Sequence, residues 1–281
     1  MRGVTDWHTH CFLPEHRSAG DSVLWSQKNV AGTGRADPDL FAAGIEAAGI
    51  EQFVLVTLPR FEQMNQPHEF VAEMVRRYPG RAVGMASVHP YAQGAAEEFE
   101  RCLTNLNMKG LKISPTNQAI DPNSKQCYEL YEIAVAHDVP VMFHCGGGYS
   151  GSLEFSDPCL LDKVALTYPR LKIIVAHFGQ PYMEQTAILM RKNENVYADM
   201  SARTHRPWQL YNGMMIAHEY KVSDRLLFGT DFPVREHRVA AEEFRNINDW
   251  GTGIHMPRIP DELIHEIMYQ RPLSMLGIAP D

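Results

Sequence analysis

Eight short apolar runs recur along the chain, each followed by a stretch with helical spacing, and this alternation narrows the fold more than any other feature. The runs are Val4–Thr9, Gln52–Leu58, Ala82–Val88, Gly110–Ile113, Val141–His144, Lys172–His177, Val196–Met200 and Leu226–Phe228. Most are apolar on both faces, as a strand must be when its parallel sheet is covered on both sides. Between them, apolar residues return every three or four positions, as in Phe70, Val71, Met74, Val75 and Tyr78, or Leu130, Ile133, Ala134 and His137. Asp37-Pro38 predicts a helix to about Ala48, with the aspartate as N-cap and the proline in the first turn. Further helices are expected over Ala95–Leu106, Ser124–His137, Pro158–Tyr168, Pro181–Arg191, Trp208–Tyr220, Val239–Asn248 and Pro260–Tyr269. Eight strands alternating with at least eight helices predict an α/β fold, a (β/α)8 TIM barrel, and 281 residues fit one such domain spanning 1–281.

The competing architecture, a doubly wound open sheet, usually carries a glycine-rich phosphate loop after its first strand. None stands there. Gly146-Gly147-Gly148 follows the fifth run but lacks the dinucleotide or phosphate-loop spacing, and reads as a tight turn that leaves room beside a ligand. Residues Cys11–Ala36 form a long connection after the first strand, expected to lie over the active face of a barrel; His16, Arg17 and Trp25 are its candidates to reach inward, or merely to cover the mouth.

Composition removes several function classes. The net charge is −8 without a basic block, which weighs against a nucleic-acid partner. No apolar run approaches the ~18 residues of a membrane span, and the first residues lack an apolar signal region, so a cytoplasmic location is expected. Five scattered cysteines with no C-x-x-C support neither a disulfide framework nor a thiolate zinc site.

Chemistry concentrates at the ends of the runs. His8 and His10 close the first, two apart and so on one face of a strand. His144 closes the fifth, His177 the sixth, and Asp231 lies just beyond the eighth. Any one of these alone reads as a structural residue. In a barrel, however, all five fall at the C-terminal ends of strands, where such folds build their active sites. Imidazoles and a carboxylate are also suitable ligands for zinc. Cys11 and Cys145, each beside one of these histidines, alternate away and read as packing residues; Asp6 is expected to share the inward face, with Trp7 and Thr9 turned to the helices.

The ordered set Asp6-x-His8-x-His10, Phe143-His144-x-Gly146, Ala176-His177-x-Gly179 and Gly229-Thr230-Asp231-x-Pro233 resembles the amidohydrolase superfamily. More narrowly it resembles the amidohydrolase-related branch that includes aminocarboxymuconate-semialdehyde decarboxylase and γ-resorcylate decarboxylase. The likeness runs over nearly the whole chain, including Lys109-Gly110-Leu111-Lys112 and Pro272-Leu273-Ser274-Met275-Leu276-Gly277. It implies that His8, His10, His144 and Asp231 ligate one divalent metal, zinc first and manganese second. It also implies that His177 is the acid/base or electrophilic partner, with Asp231 sharing the catalysis. Lys112 stands where two-metal relatives carry a carboxylated lysine, but in this branch the lysine accompanies a single metal; a substrate carboxylate or a buried ion pair are its other uses. Ser114 stands where relatives often have histidine.

Arg60, Arg203, Arg235 and His89 lie near strand ends and are weaker candidates for substrate contact, the arginines as carboxylate clamps. The expected function is metal-dependent hydrolysis of a lactone, amide or ester in a small carboxylated molecule by an activated water. The alternative is non-oxidative decarboxylation of an aromatic or muconate-type acid. A TatD-like nuclease would need a glutamate near the fourth strand, where Gly110-Leu111-Lys112-Ile113-Ser114-Pro115 stands instead. A metal-binding scaffold would leave His177 without a purpose. By analogy with relatives, a homodimer is expected.

Overall fold

The computed structural model describes residues 3–17, 35–59, 65–147, 151–250, 253 and 255–281. Among the described residues eight parallel strands are observed: β1 (Val4–Thr9), β2 (Ile50–Val56), β3 (Ala82–Met85), β4 (Leu111–Ile113), β5 (Val141–His144), β6 (Ile173–Ala176), β7 (Val196–Asp199) and β8 (Leu226–Leu227). The helices that follow them in turn are α1 (Pro38–Ala47), α2 (His68–Arg76), α3 (Ala95–Thr104), α4 (Lys125–Ala136), α5 (Leu161–Thr167), α6 (Met183–Lys192), α7 (Pro207–Glu219) and α8 (His237–Arg245), with α9 (Asp261–Tyr269) after them.

Strands β1–β2–β3 and β4 to β8 pair in sequence order, and two sets of backbone bonds close the ring. Between β3 and β4, Lys112 N–H donates to Ala86 O at 2.7 Å and Ala86 N–H to Gly110 O at 2.9 Å. Between β8 and β1, Trp7 N–H donates to Phe228 O at 2.8 Å and Asp231 N–H to His8 O at 2.7 Å. Ring closure without an edge is the property of a TIM barrel, and the expected fold class is met.

Local signals act where the sequence places them. Asp37 Oδ1 accepts from Leu40 N–H at 3.2 Å to cap α1, which buries Phe41 and Ile45. Ser124 caps α4 through Cys127 N–H. Two buried apolar layers result. The outer layer, between strands and helices, holds Phe53, Leu55, Phe41, Phe99 and Phe143. The inner one holds Val54, Val56, Val83, Met85, Met142, Ile174 and Leu227, sealed by Leu273, Leu276 and Ile278 from the C-terminal segment.

One expectation about β1 changes. Asp6 pairs with Phe53 and Thr9 with Leu55, so three steps on β1 oppose two on β2. The irregularity lets Trp7 join the inner apolar layer, where its indole N–H donates to Arg271 O at 2.8 Å. Asp6 takes the register of outward-facing Phe53. Thr9 does face the helices, its hydroxyl 2.9 Å from His237 Nε2 on α8. The physical reason is the extra residue: strict alternation fails across a bulge. Most of the long connection after β1, including Trp25, lies outside the described residues, as does Arg60. No helix among the described residues is long and apolar enough to cross a membrane.

Candidate metal centre

His8 and His10 reach the same spot from the end of β1, and Asp231 meets them from the turn after β8. His10 Nε2 lies 3.1 Å from Asp231 Oδ1, and His8 Nε2 lies 3.6 Å from the same oxygen. The turn that places Asp231 is tied down twice. Asp231 has φ +54°, an uncommon conformation for a non-glycine residue, and its N–H bonds the His8 carbonyl. Asp6, fully buried, accepts from Thr230 N–H at 3.1 Å and Thr230 Oγ1–H at 2.7 Å. Burial lifts the Asp6 carboxyl to about 7. Gly229 is required at the crossing: a Cβ there would lie 2.9 Å from Ser201 Cβ and 3.0 Å from His8 Cβ.

Proton positions decide what this cluster can hold. His10 Nδ1 faces the carbonyl of Val56 at 2.8 Å, and a carbonyl only accepts. A neutral His10 therefore keeps its proton on Nδ1 and turns a lone pair at Nε2 toward Asp231. His8 Nδ1 likewise faces a carboxylate oxygen, Asp199 Oδ2, at 3.0 Å, leaving a lone pair on Nε2. Burial draws the Asp231 carboxyl upward, but the adjacent His8 and His10 outweigh it and hold it down to about 2. Three acceptor atoms thus converge with lone pairs facing one another, and Lys112 Nζ, 3.3 Å from His8 Nε2, offers a donor to one of them. A shared proton relieves one pair, whereas a divalent cation relieves all three, so the residues present fit a metal ion.

The other predicted residues stand around this centre. His177 stacks on His8, with ring centroids 5.1 Å apart, and its Nδ1 is 4.0 Å from Asp231 Oδ2. His144 is one step removed: its Nδ1 is 3.1 Å from His177 Nε2, while its buried Nε2 has no protein partner. It belongs to neither compact grouping around His8, namely His8–His10–Asp231 and His8–His177–Asp199. Burial, reinforced by the Lys112 charge, lowers His144 to about 3; burial and His144 push His177 well below the ordinary range. Both rings are therefore neutral at neutral pH. Lys112, 2% exposed, places Nζ 3.3 Å from His8 Nε2, and burial lowers it to about 8.

The weaker candidates divide. Arg203 donates from Nη1 to Gln180 Oε1 at 2.7 Å and Gln209 Oε1 at 3.1 Å, close enough to the centre for its charge to depress His144. Arg235 forms a two-point ion pair with Glu243. His89 is engaged at both nitrogens, donating from Nε2 to Gln118 O at 3.1 Å and accepting Tyr91 N–H on Nδ1 at 3.2 Å. The structure does not bring Arg235 or His89 into the cluster. Ser114 is spent locally, with Oγ accepting from Asn117 Nδ2. Gly146 behaves as its triplet suggests. Its φ is +90°, and a Cβ would lie 1.8 Å from Gln180 O, so only glycine lets the turn after β5 meet the turn after β6.

Residues 5–278 match the Amidohydrolase family. The chain belongs to that family. A curated γ-resorcylate decarboxylase from a Polaromonas species is 26% identical over 237 residues, covering 66% of this chain and 70% of the relative. Among solved structures, a dihydroxybenzoic acid decarboxylase from Polaromonas with bound manganese and 2-nitroresorcinol superposes with a TM-score of 0.70 at 20% identity, over 98% of this chain and 97% of that one. A probable 2-pyrone-4,6-dicarboxylic acid hydrolase from Acinetobacter baumannii gives 0.62 at 16% identity, over 98% and 99%. At these identities the solved structures establish the shared barrel. The family expects an enzyme that uses a divalent metal, and the acceptor cluster supplies the donor set for it.

Two residues of the cluster escape sequence reasoning. Asp199, at the end of β7, and Ser201 are fully buried and contact both His8 and His177. The signal available was Asp199 at the C-terminal end of an apolar run, Val-Tyr-Ala-Asp, the same position that drew attention to the histidines.

Proposed function

We propose that this enzyme is a metal-dependent, non-oxidative decarboxylase of a small hydroxylated aromatic acid. The observation that carries the choice of reaction is the 26% identity to a γ-resorcylate decarboxylase across most of the chain. Hydrolysis, the first expectation from sequence, is favoured less, because the pyrone dicarboxylic acid hydrolases match at 16–18% identity and support the barrel alone.

In this reading His8, His10, His144 and Asp231 hold one divalent ion, manganese or zinc. The ion would supply a Lewis acid that draws anionic substrate oxygens into the barrel mouth and offsets their charge. The residues do the rest. Lys112 and Arg203 add positive charge for the carboxylate or a phenolate. A proton taken up from solvent reaches the ring through Asp231 and His177, whose Oδ2 and Nδ1 lie 4.0 Å apart. The reaction balances without water. The carbon bearing the carboxylate gains a proton, its bond to the carboxylate breaks with the electron pair returning to the ring, and carbon dioxide leaves.

The test is a panel of dihydroxybenzoates and pyrone carboxylates incubated in 18O-labelled water with the metal-loaded enzyme. Carbon dioxide release with no 18O in the aromatic product is expected. Ring opening of a pyrone with 18O uptake and no carbon dioxide would replace this reading by hydrolysis.

A further inference from the structure

We propose that Asp199 and Ser201 are positioning residues, a buried pair that sets which nitrogen carries the proton in His8, His177 and His144. The proposal rests on the metal-centre reading for its purpose, but not for its geometry.

One carboxylate gathers four donors. Asp199 Oδ2 faces His8 Nδ1 at 3.0 Å; Asp199 Oδ1 accepts His177 N–H at 3.1 Å, Ser201 N–H at 3.0 Å and the Ser201 hydroxyl. The direction of each bond follows from the next. A carboxylate accepts only, so the Ser201 hydroxyl proton points at Asp199. Ser201 Oγ is then an acceptor for the two rings it touches, His177 Nδ1 at 2.9 Å and His8 Nδ1 at 3.1 Å, and Ser201 O lies 3.3 Å from His177 Nδ1. His177 is thereby protonated on Nδ1, which leaves Nε2 to accept from His144 Nδ1–H at 3.1 Å. His144 in turn keeps a lone pair on Nε2, the buried atom with no protein partner.

A single directed chain therefore runs from His144 through His177 and Ser201 to Asp199, with His8 joined at its end. It leaves His8 Nε2 and His144 Nε2 unprotonated, the state a metal ligand needs. The chain is built into the fold. Ala202, next to Ser201, has φ +54°, and Gly229 has no side chain where one would press on both Ser201 and His8.

The experiment compares Asp199→Asn, Ser201→Ala and Ser201→Thr with the wild type in two readouts. The first is the side-chain 15N spectrum of the histidines in metal-free protein. The second is manganese and zinc affinity by chelator competition. An amide NH2 facing His8 Nδ1 moves the ring proton to Nε2, so Asp199→Asn is expected to shift the His8 tautomer and weaken metal binding by ~10–100-fold. Ser201→Ala is expected to give a mixed His177 tautomer, which Ser201→Thr restores. Wild-type tautomers and affinity in a folded Asp199→Asn protein would overturn the proposal. Should that variant not fold, identical His177 spectra in Ser201→Ala and Ser201→Thr would overturn it. A wild-type protein that binds neither metal, yet shows the tautomer changes, would remove the metal-centre reading and leave the positioning role standing.

Discussion

Among the described residues, three groups of histidine and carboxylate ligands offer three ligand atoms within 4.8 Å of one another, two sharing His8 at the barrel mouth and one in the helix layer, and only the mouth calls for a metal. At the barrel mouth, His8, His10 and Asp231 meet. In the helix layer, His68, Glu98 and Cys102 meet. In the helix layer the protein supplies the donors. His68 Nδ1 donates to Glu98 Oε1 at 2.6 Å, Arg101 donates to Glu98 from Nε at 2.7 Å and Nη2 at 2.8 Å, and the Cys102 thiol points at Glu98 from 3.8 Å. At the mouth, the carbonyl of Val56 and the carboxylate of Asp199 take the ring protons of His10 and His8 from behind, so His10 Nε2 and Asp231 meet as two acceptors, and Lys112 Nζ reaches only His8 Nε2. Proximity of ligand types does not distinguish the clusters. The direction of each hydrogen bond does.

The largest effect that would break this comparison is expected from the double variant His8→Ala His10→Ala. Metal content, measured on purified protein, should fall from about one ion per chain to almost none, and activity by more than ~100-fold. A variant that keeps its metal would end the distinction. Asp231→Asn should do nearly as much to metal binding, yet leave the metal-free protein within ~1 kcal/mol of wild type, because the amide gives His10 Nε2 the donor it lacks. Thermal melts with and without manganese read both. At 100 times Kd the wild type should gain ~2.7 kcal/mol from the ion and the variant almost nothing.

The helix-layer cluster should respond in the opposite way. His68→Ala removes a donor from Glu98 and leaves the buried Ser87 N–H without its acceptor, and should cost ~1–3 kcal/mol of stability with metal content unchanged. The smallest effect is a pH dependence. Hydrogen bonds from Arg101, with help from His68, hold Glu98 down from 4.5 to about 2. A carboxyl with a depressed folded-state pKa stabilises above its unfolded value, and that stabilisation is lost as pH falls from 4.5 through about 2. Glu98→Gln should flatten urea-denaturation stability over that window. Since Glu98 is partly exposed, the difference should be small.

Much of this was legible in the sequence because it is carried by local pattern. Alternating strand and helix periods predict the barrel, Asp37-Pro38 predicts the cap of α1, and the position of His8, His10, His144, His177 and Asp231 at strand ends predicts that they gather at one mouth. Local pattern fails where a second element decides. The bulge that turns Trp7 inward depends on how β1 pairs with β2. Glu243 on α8 engages Arg235, and backbone groups of Gln118 and Tyr91 engage His89, although both candidates stand near strand ends like the histidines.

The sequence by itself determined the kind of molecule: a closed parallel barrel with imidazoles and a carboxylate at the ends of its strands, in the order of the amidohydrolases. Tertiary structure alone decided which atoms of those side chains face one another. A ring nitrogen becomes donor or acceptor according to what lies behind it, and what lies behind His8 and His10 comes from β7 and β2, 191 and 46 residues away along the chain.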